Sequence, residues 1–354
     1  MPLSPLVAHD ALRQRLGSAL LRGTMPGSLL LHGRRGVGKQ RLALWLAQSM
    51  LCAAAAEARP CGQCQACRYA GDLTHPDLYW FFPVPRADVT DCSPEEALAV
   101  LRGAMRDRAQ RDGLWGPSSG SEGIFVEMIR SLVKAAATSP AMARRKVMIL
   151  GDADRMIAQE GSDQAANALL KLLEEPLPDT TLILTTSEPG ALLPTIRSRV
   201  ISVRVAPLAP AEMREWAGQD AVRAKIGAPD ATVLERASGA PGALLGGTAH
   251  EAAAAHVAAW LKALRGDASD RFAAILSEKH SGARGAFADA LDALEGTLHA
   301  RLQPAVERGG ADALALSQAQ DAVEAARERT THNVNPALIT SDLLRQLRAL
   351  GVNG

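Results

Sequence analysis

"SLLLHGRRGVGKQRLALWLAQSMLC" (Ser28–Cys52) is the stretch that decides the fold. A short apolar run, Leu29 to Leu31, leads into Gly33, Gly36, Gly38 and Lys39, and the chain then continues with helical apolar spacing. That order fits G-x-x-x-x-G-K-[ST], in which backbone N–H groups and a helix N-terminus cradle phosphates and the lysine reaches the terminal ones. A hydroxyl after the lysine would bind magnesium, but Gln40 stands there. An amide oxygen is a poor substitute for that compact ligand. The loop is therefore nucleotide-like in shape and incomplete in chemistry.

Outward from this loop, helical spacing runs from His9 to Gly23, and "DLYWFF" (Asp77–Phe82) is aromatic enough for a second strand. Residues from about 83 to 123 mix Pro, Gly, Asp, Ser and Arg around a helical "SPEEALAVLRGAM" patch, which reads as a surface insertion, partly ordered at best. From Ile124 the pattern alternates: helix (Phe125–Ala137), strand (Lys146–Leu150), helix (Asp163–Leu173), strand (Thr181–Thr186) and strand (Val200–Val205). Near-continuous apolar strands separated by helices predict a parallel sheet covered on both faces, with the phosphate loop at the carboxyl end of its first strand. After Pro207 only helices are expected. The predicted domains are an α/β nucleotide-loop domain (1–206), a small helical lid (207–247) and an all-helical domain (248–354).

A chain of 354 residues agrees with two or three domains. Its net charge of +1 gives no global reason for sequence-independent binding to a polyanion. The N-terminus lacks a secretion-signal pattern, and no run of about 18 apolar residues suits a membrane span. The five cysteines all precede position 93, which favours metal binding in a reducing cytoplasm over a disulfide framework. Cys52, Cys61, Cys64 and Cys67 form C-x8-C-x2-C-x2-C, a spacing that lets tight turns present four thiolates to one zinc ion. With all four positions filled by protein, the site would be structural, residues 52–67 forming a zinc knot. Buried, unliganded thiols are the alternative, and Cys92 is the expected bystander.

In "KVMILGDADRM" (Lys146–Met156), an active ATPase of this kind would end the strand with Asp-Glu. Gly151 takes the first acid's place and Asp152 the second's. Hydrolysis by the chain's own site is not expected; the residues leave open whether the loop holds ATP. Asp152 and Asp154 also suit a helix start, where acids meet the positive dipole end. The "MARRKV" cluster (Met142–Val147) reads as a solvated basic turn, and Trp45, Trp216 and Trp260 read as core.

"NALLKLLEEP" (Asn167–Pro176), followed by "LILTTSEPGALLPTIRSRV" (Leu182–Val200), resembles the signature region of the bacterial clamp-loader AAA+ proteins. The cysteine knot, the degraded acid pair and the retained Ser198-Arg199 pair strengthen the likeness, which covers nearly the whole chain in domain order. It implies an α/β AAA+ fold with a lid and a helical collar. Ser198 and Arg199 correspond to the family's Ser-Arg-Cys element, with Val200 in the cysteine's place. The arginine there reaches into a neighbouring subunit's ATP site as a finger; Arg197 beside it complicates assignment by single substitution. Gly242 aligns where hydrolysing relatives carry a sensor arginine.

The resemblance further implies a hetero-pentamer with ATPase subunits of gamma/tau type and a delta-type subunit. That assembly would place a sliding clamp on primer-template DNA, within a DNA polymerase III holoenzyme whose overall activity is that of a nucleotidyltransferase. Two other readings compete. One is a clamp-loader subunit that hydrolyses ATP itself, with Gln40 and Asp152 as tolerated variants. The other is a zinc-dependent nucleic-acid-binding module, against which stands the lack of aromatics and a basic run beside the cysteines.

Overall fold

In a computed structural model of the chain, the described residues are 3–116, 122–156, 162–175, 177–245, 247–278, 284–307, 312–331 and 334–352. Pro176, which closes the first family segment, and residues 117–121 of the insertion lie outside them. The chain divides into two compact units: one holds the described residues of 1–118, 122–228 and 240–242, the other those of 229–239 and 243–354.

The first unit is built on β1 (Ser28–His32), β2 (Leu78–Phe81), β5 (Lys146–Leu150), β6 (Thr180–Thr186) and β7 (Ile201–Arg204), with β3 (Val84–Pro85) and β4 (Glu122–Gly123) as a small separate pair. The five strands follow the order β2-β5-β6-β1-β7, and every pairing is parallel. Leu30 lies opposite Leu184 on one side and Ser202 on the other, so β1 is interior and its carboxyl end opens between β6 and β7. All of β5 and β6 is buried, whereas edge strand β7 leaves Ile201 exposed. Strands buried on both faces read as near-continuous apolar runs, the pattern carried by Val147–Leu150 and Leu182–Leu184 at the centres of β5 and β6.

Helices α1 (Asp10–Leu21), α2 (Lys39–Leu51), α3 (Gln65–Gly71), α4 (Pro94–Gln110), α5 (Val126–Ala136), α6 (Ser162–Glu174), α7 (Pro194–Arg197), α8 (Pro210–Ala217) and α9 (Asp220–Ile226) complete this unit. The insertion is more than the partly ordered surface expected. Ser93 and Glu96 close a capping box, Pro94 starts α4, and Ala97, Leu101, Met105 and Ala109 form a buried stripe at four-residue spacing against α5 and β2. The Pro- and Gly-rich flanks disguised this stripe.

The turn before β5 also departs from expectation. Asp77, 1% exposed, accepts the backbone N–H groups of Ala141 (2.6 Å), Met142 (2.8 Å) and Ala143 (2.6 Å). Lys146 is fully buried and donates to the carbonyls of Ala135 (2.9 Å), Ala136 (2.6 Å) and Thr138, closing the C-terminal end of α5. Burial lowers its pKa. One member of the basic cluster thus sits inside the molecule as a helix cap, where three carbonyls satisfy an ammonium that water cannot reach. Trp45 is half-buried beneath the Arg13 guanidinium (5.1 Å from the ring centroid) rather than in the core.

The second unit contains α10 (Ala231–Arg236), α11 (Gly247–Arg265), α12 (Ala268–Leu276), α13 (Arg284–Glu307), α14 (Asp312–Thr331) and α15 (Pro336–Ala349). Trp260, Phe287, Leu291, Leu294, Val323 and Leu347 anchor its core, and buried alanines such as Ala290, Ala319 and Ala326 let α13 and α14 approach closely. Arg327, 8% exposed, bonds to Asp292, Glu295 (2.7 Å) and Glu324 (2.9 Å). No helix among the described residues is long and apolar enough to cross a membrane.

Asp77→Ala removes the buried acceptor of three backbone N–H groups and is expected to cost roughly 3 kcal/mol, while Asp77→Asn, which keeps one acceptor oxygen, costs about half as much. Urea denaturation midpoints check both values.

Candidate functional site

The loop between β1 and α2 is shaped by Gly36 and Gly38, whose positive φ values (81° and 96°) turn the chain sharply into the helix N-terminus. Lys39, at the first position of α2, is 5% exposed. Its Nζ donates to the carbonyls of Gly33 (2.7 Å) and Arg34 (2.9 Å) and to Ser187 Oγ (2.9 Å). The Val37 carbonyl lies 2.8 Å from His9 Nε2, and Gly242 N–H donates to the Gly36 carbonyl at 2.9 Å. The fold thus brings Gly33, Gly36, Gly38, Lys39 and Gln40 to one strand end, together with Gly242.

At the end of β5, Asp152 adopts a left-handed backbone (φ 52°), and its N–H donates to Thr185 Oγ1 at 3.0 Å. Asp154 opens a short 3-10 turn (Ala153–Met156) and accepts from Thr186 Oγ1 (2.5 Å) and Ser187 N–H (3.3 Å). Burial, reinforced by the nearby charge of Asp152, raises the Asp154 pKa. Between these acids and the loop, Gln40 Oε1 accepts from Trp80 Nε1 at 3.2 Å. Trp80 packs against Phe82 and Trp115, and the Arg108 guanidinium of α4 lies 3.5 Å from the Phe82 centroid and 4.7 Å from that of Trp80. Burial brings the Arg108 pKa down to about 10, opposed by the charges of Asp152 and Glu122. Trp80, Arg108, Ser187 and His9 were not predicted as part of this site. No spacing marks them, because sheet topology alone brings them together.

Cys52, Cys61, Cys64 and Cys67 gather at the C-terminal end of α2 and around α3, with all four Sγ atoms within 4.8 Å of one another. Cys52 to Cys64 and Cys61 to Cys67 are each 3.9 Å apart, close to the roughly 3.8 Å edge of a tetrahedron with 2.3 Å metal–sulfur bonds. Backbone N–H groups of Ala54, Cys61, Cys64 and Cys67 point at the sulfurs of Cys52 (twice), Cys61 and Cys64 at 3.4–3.5 Å. Such donors stabilise thiolate: the Cys64 N–H leads the causes that lower the Cys61 pKa to about 6. Burial raises that of Cys67. Four converging sulfurs with built-in N–H support fit a metal ion. Cys92 stands apart, its thiol donating to the Val89 carbonyl at 3.2 Å.

Ser198 and Arg199 lie between α7 and β7. Ser198 Oγ donates to the Thr195 carbonyl (3.0 Å), and Arg199 Nη1 donates to that carbonyl (2.9 Å) and to Ser198 Oγ (3.3 Å). Arg199 Nη2 pairs with Glu174 Oε1 at 2.8 Å, with a third of the arginine side chain exposed.

The family model described as "DNA polymerase III, delta subunit" matches residues 8–209, more than half of the chain. The DNA polymerase III delta-prime subunit of Pseudomonas aeruginosa is 34% identical over 193 residues, 54% of this chain and 46% of that protein. Those of Bacillus subtilis (30% over 195 residues, 55% and 46%) and Escherichia coli (26% over 234 residues, 66% and 57%) align similarly. The chain spans about half the length of the curated relatives it matches. A DNA polymerase III gamma subunit-related protein of Thermotoga maritima aligns over 94% of this chain and 99% of its own, at 16% identity and a TM-score of 0.37. The chain belongs to the DNA polymerase III, delta subunit family, and the curated relatives named here are delta-prime subunits.

Proposed function

We propose that this chain is the non-hydrolysing delta-prime subunit of a clamp loader, supplying Arg199 to the ATP site of a neighbouring subunit. The observation that carries the reading is a divided inventory. The magnesium hydroxyl and the first strand-end acid are replaced by Gln40 and Gly151, while Arg199 remains at its motif position beside edge strand β7. A guanidinium stays charged at any working pH and matches the spread charge of a transferring phosphoryl group. Ser198 would position it through the contact at its Oγ. Residues 248–354 would serve as the collar that joins the subunits, 207–247 as the lid. Partners would be gamma/tau-type and delta-type subunits, acting in the cytoplasm on a sliding clamp and primer-template DNA.

The cysteine cluster would hold zinc through Cys52, Cys61, Cys64 and Cys67. The ion's contribution there would be structural, fixing the 52–67 segment to the end of α2, because all four coordination positions belong to protein.

Arg199→Ala is expected to fold and assemble yet to slow DNA-stimulated ATP turnover at the facing site by about 10³-fold or more, the usual worth of a finger. Glu174→Gln removes only an exposed ion pair, worth under about 1 kcal/mol, and should change that rate by less than about five-fold. Steady-state ATPase of the reconstituted loader checks both; an unchanged rate for Arg199→Ala sinks the finger. Brisk ATP turnover by the isolated chain would instead favour a hydrolysing subunit.

Native mass spectrometry should find one zinc per chain, absent from Cys61→Ser/Cys64→Ser. Losing it should lower Tm by several degrees, as expected when a bound ion stabilises only the folded state.

A further inference from the structure

The fold that carries residues 33–40 implies a magnesium-bound nucleotide at the end of β1, and the side chains present do not fit one. Magnesium in such a site takes a compact hydroxyl from the residue after the lysine, an acid from the neighbouring strand end and several waters in near-octahedral geometry. Gln40 and Gly151 hold those two positions, and they are matched to each other. A Cβ on Gly151 would lie 2.7 Å from both Cδ and Oε1 of Gln40 and 3.0 Å from its Nε2, closer than non-bonded atoms come. The carboxamide already fills the room that a side chain at 151 would need.

That carboxamide is held in place. Its Oε1 accepts from Trp80 Nε1, and Trp80, 1% exposed, sits under the Arg108 guanidinium of the insertion helix. Contact therefore runs unbroken from α4 through Arg108 and Trp80 to the first turn of α2. The loop is also closed at Gly36. A Cβ on Gly242 would lie 2.7 Å from Gly36 Cα and 3.1 Å from its carbonyl oxygen, and here the obstacle is backbone that cannot rotate aside. A sensor arginine at 242 is incompatible with this approach.

We infer that the nucleotide pocket of this chain is a protein-filled joint. Gln40 takes the magnesium position against Gly151, Trp80 and Arg108 hold it there, and the backbone of Gly242 seals the loop at Gly36. Gln40 and Gly151 act as one unit, so that a change at either is felt through the other. The joint also gives the insertion a task, because α4 supplies the cation that covers the aromatic support of Gln40. This inference rests on reading residues 33–40 as a phosphate loop and is independent of Arg199.

The test is a double-mutant cycle on the full chain, read by thermal unfolding, together with equilibrium binding of a fluorescent ATP analogue with and without magnesium. The φ of Gly151 is not positive, so alanine there carries no backbone penalty and by itself would be neutral or slightly stabilising. Gly151→Ala is expected to lower Tm by about 2–4 °C when Gln40 is present and to lose that penalty in the Gln40→Ala background. Gly242→Ala should lower Tm by a comparable amount whatever stands at position 40. The unmodified chain should bind the analogue with a Kd above about 1 mM in either buffer. Two results overturn the joint: a Gly151→Ala penalty that is equal with and without Gln40, or saturable, magnesium-dependent binding by the unmodified chain at micromolar analogue. Neither readout involves a partner subunit, so failure of the joint and failure of the arginine finger are separable.

Discussion

A buried ammonium must find acceptors, and the loop depends on how Lys39 does so. Its three protons are directed to two carbonyls of its own loop and to the hydroxyl of Ser187, one residue beyond β6. The lysine thus ties the end of β6 to the start of α2, across the strand end where β1 delivers the chain. In a nucleotide-binding protein these protons face phosphate. Here two of them meet carbonyls of the loop and the third meets Ser187 Oγ, so the cost of burying the charge is offset within the fold.

The remaining acids are engaged in the same local way. Asp154 accepts from Thr186 Oγ1 and Ser187 N–H, and Asp152 N–H reaches Thr185 Oγ1, so the turn after β5 is bolted to the end of β6. A buried carboxylate whose oxygen is committed to a threonine hydroxyl and a backbone N–H is poorly placed to polarise a water. The expectation that these aspartates start a helix is met by Asp154 in the first turn of the 153–156 segment. Its stronger interaction is nevertheless with β6, a strand whose proximity no local pattern announces.

Legibility in the sequence followed the range of the forces involved. The interior strands, the glycine-lysine loop and the cysteine cluster depend on short-range patterning, and each was readable to within a residue or two. What stayed hidden depends on contacts distant in sequence. Trp80 read only as a strand residue, yet its indole N–H supports Gln40 across 40 positions. Lys146 looked like one cation of an exposed run, and only the packing of α5 over β5 buries it as a cap. The helical patch of α4 was read, but its Pro- and Gly-rich surroundings pointed to a partly ordered surface insertion and hid the buried stripe of Ala97, Leu101, Met105 and Ala109.

The arginines sort by what holds them. Arg327 lies inside a ring of Asp292, Glu295 and Glu324 at 8% exposure, and freeing it would strand a buried charge at a cost of several kcal/mol. Arg108 is fixed by aromatic faces and the insertion helix. Arg199 is tethered by one exposed carboxylate, the Thr195 carbonyl and Ser198 Oγ, and solvent screening keeps the ion pair below about 1 kcal/mol. The role proposed for Arg199 requires a charge that is cheaply released from its own chain. The Glu174 contact fits that requirement, because it pairs the guanidinium without desolvating it. The contrast with Arg327 separates an arginine buried in the fold from one held at its surface.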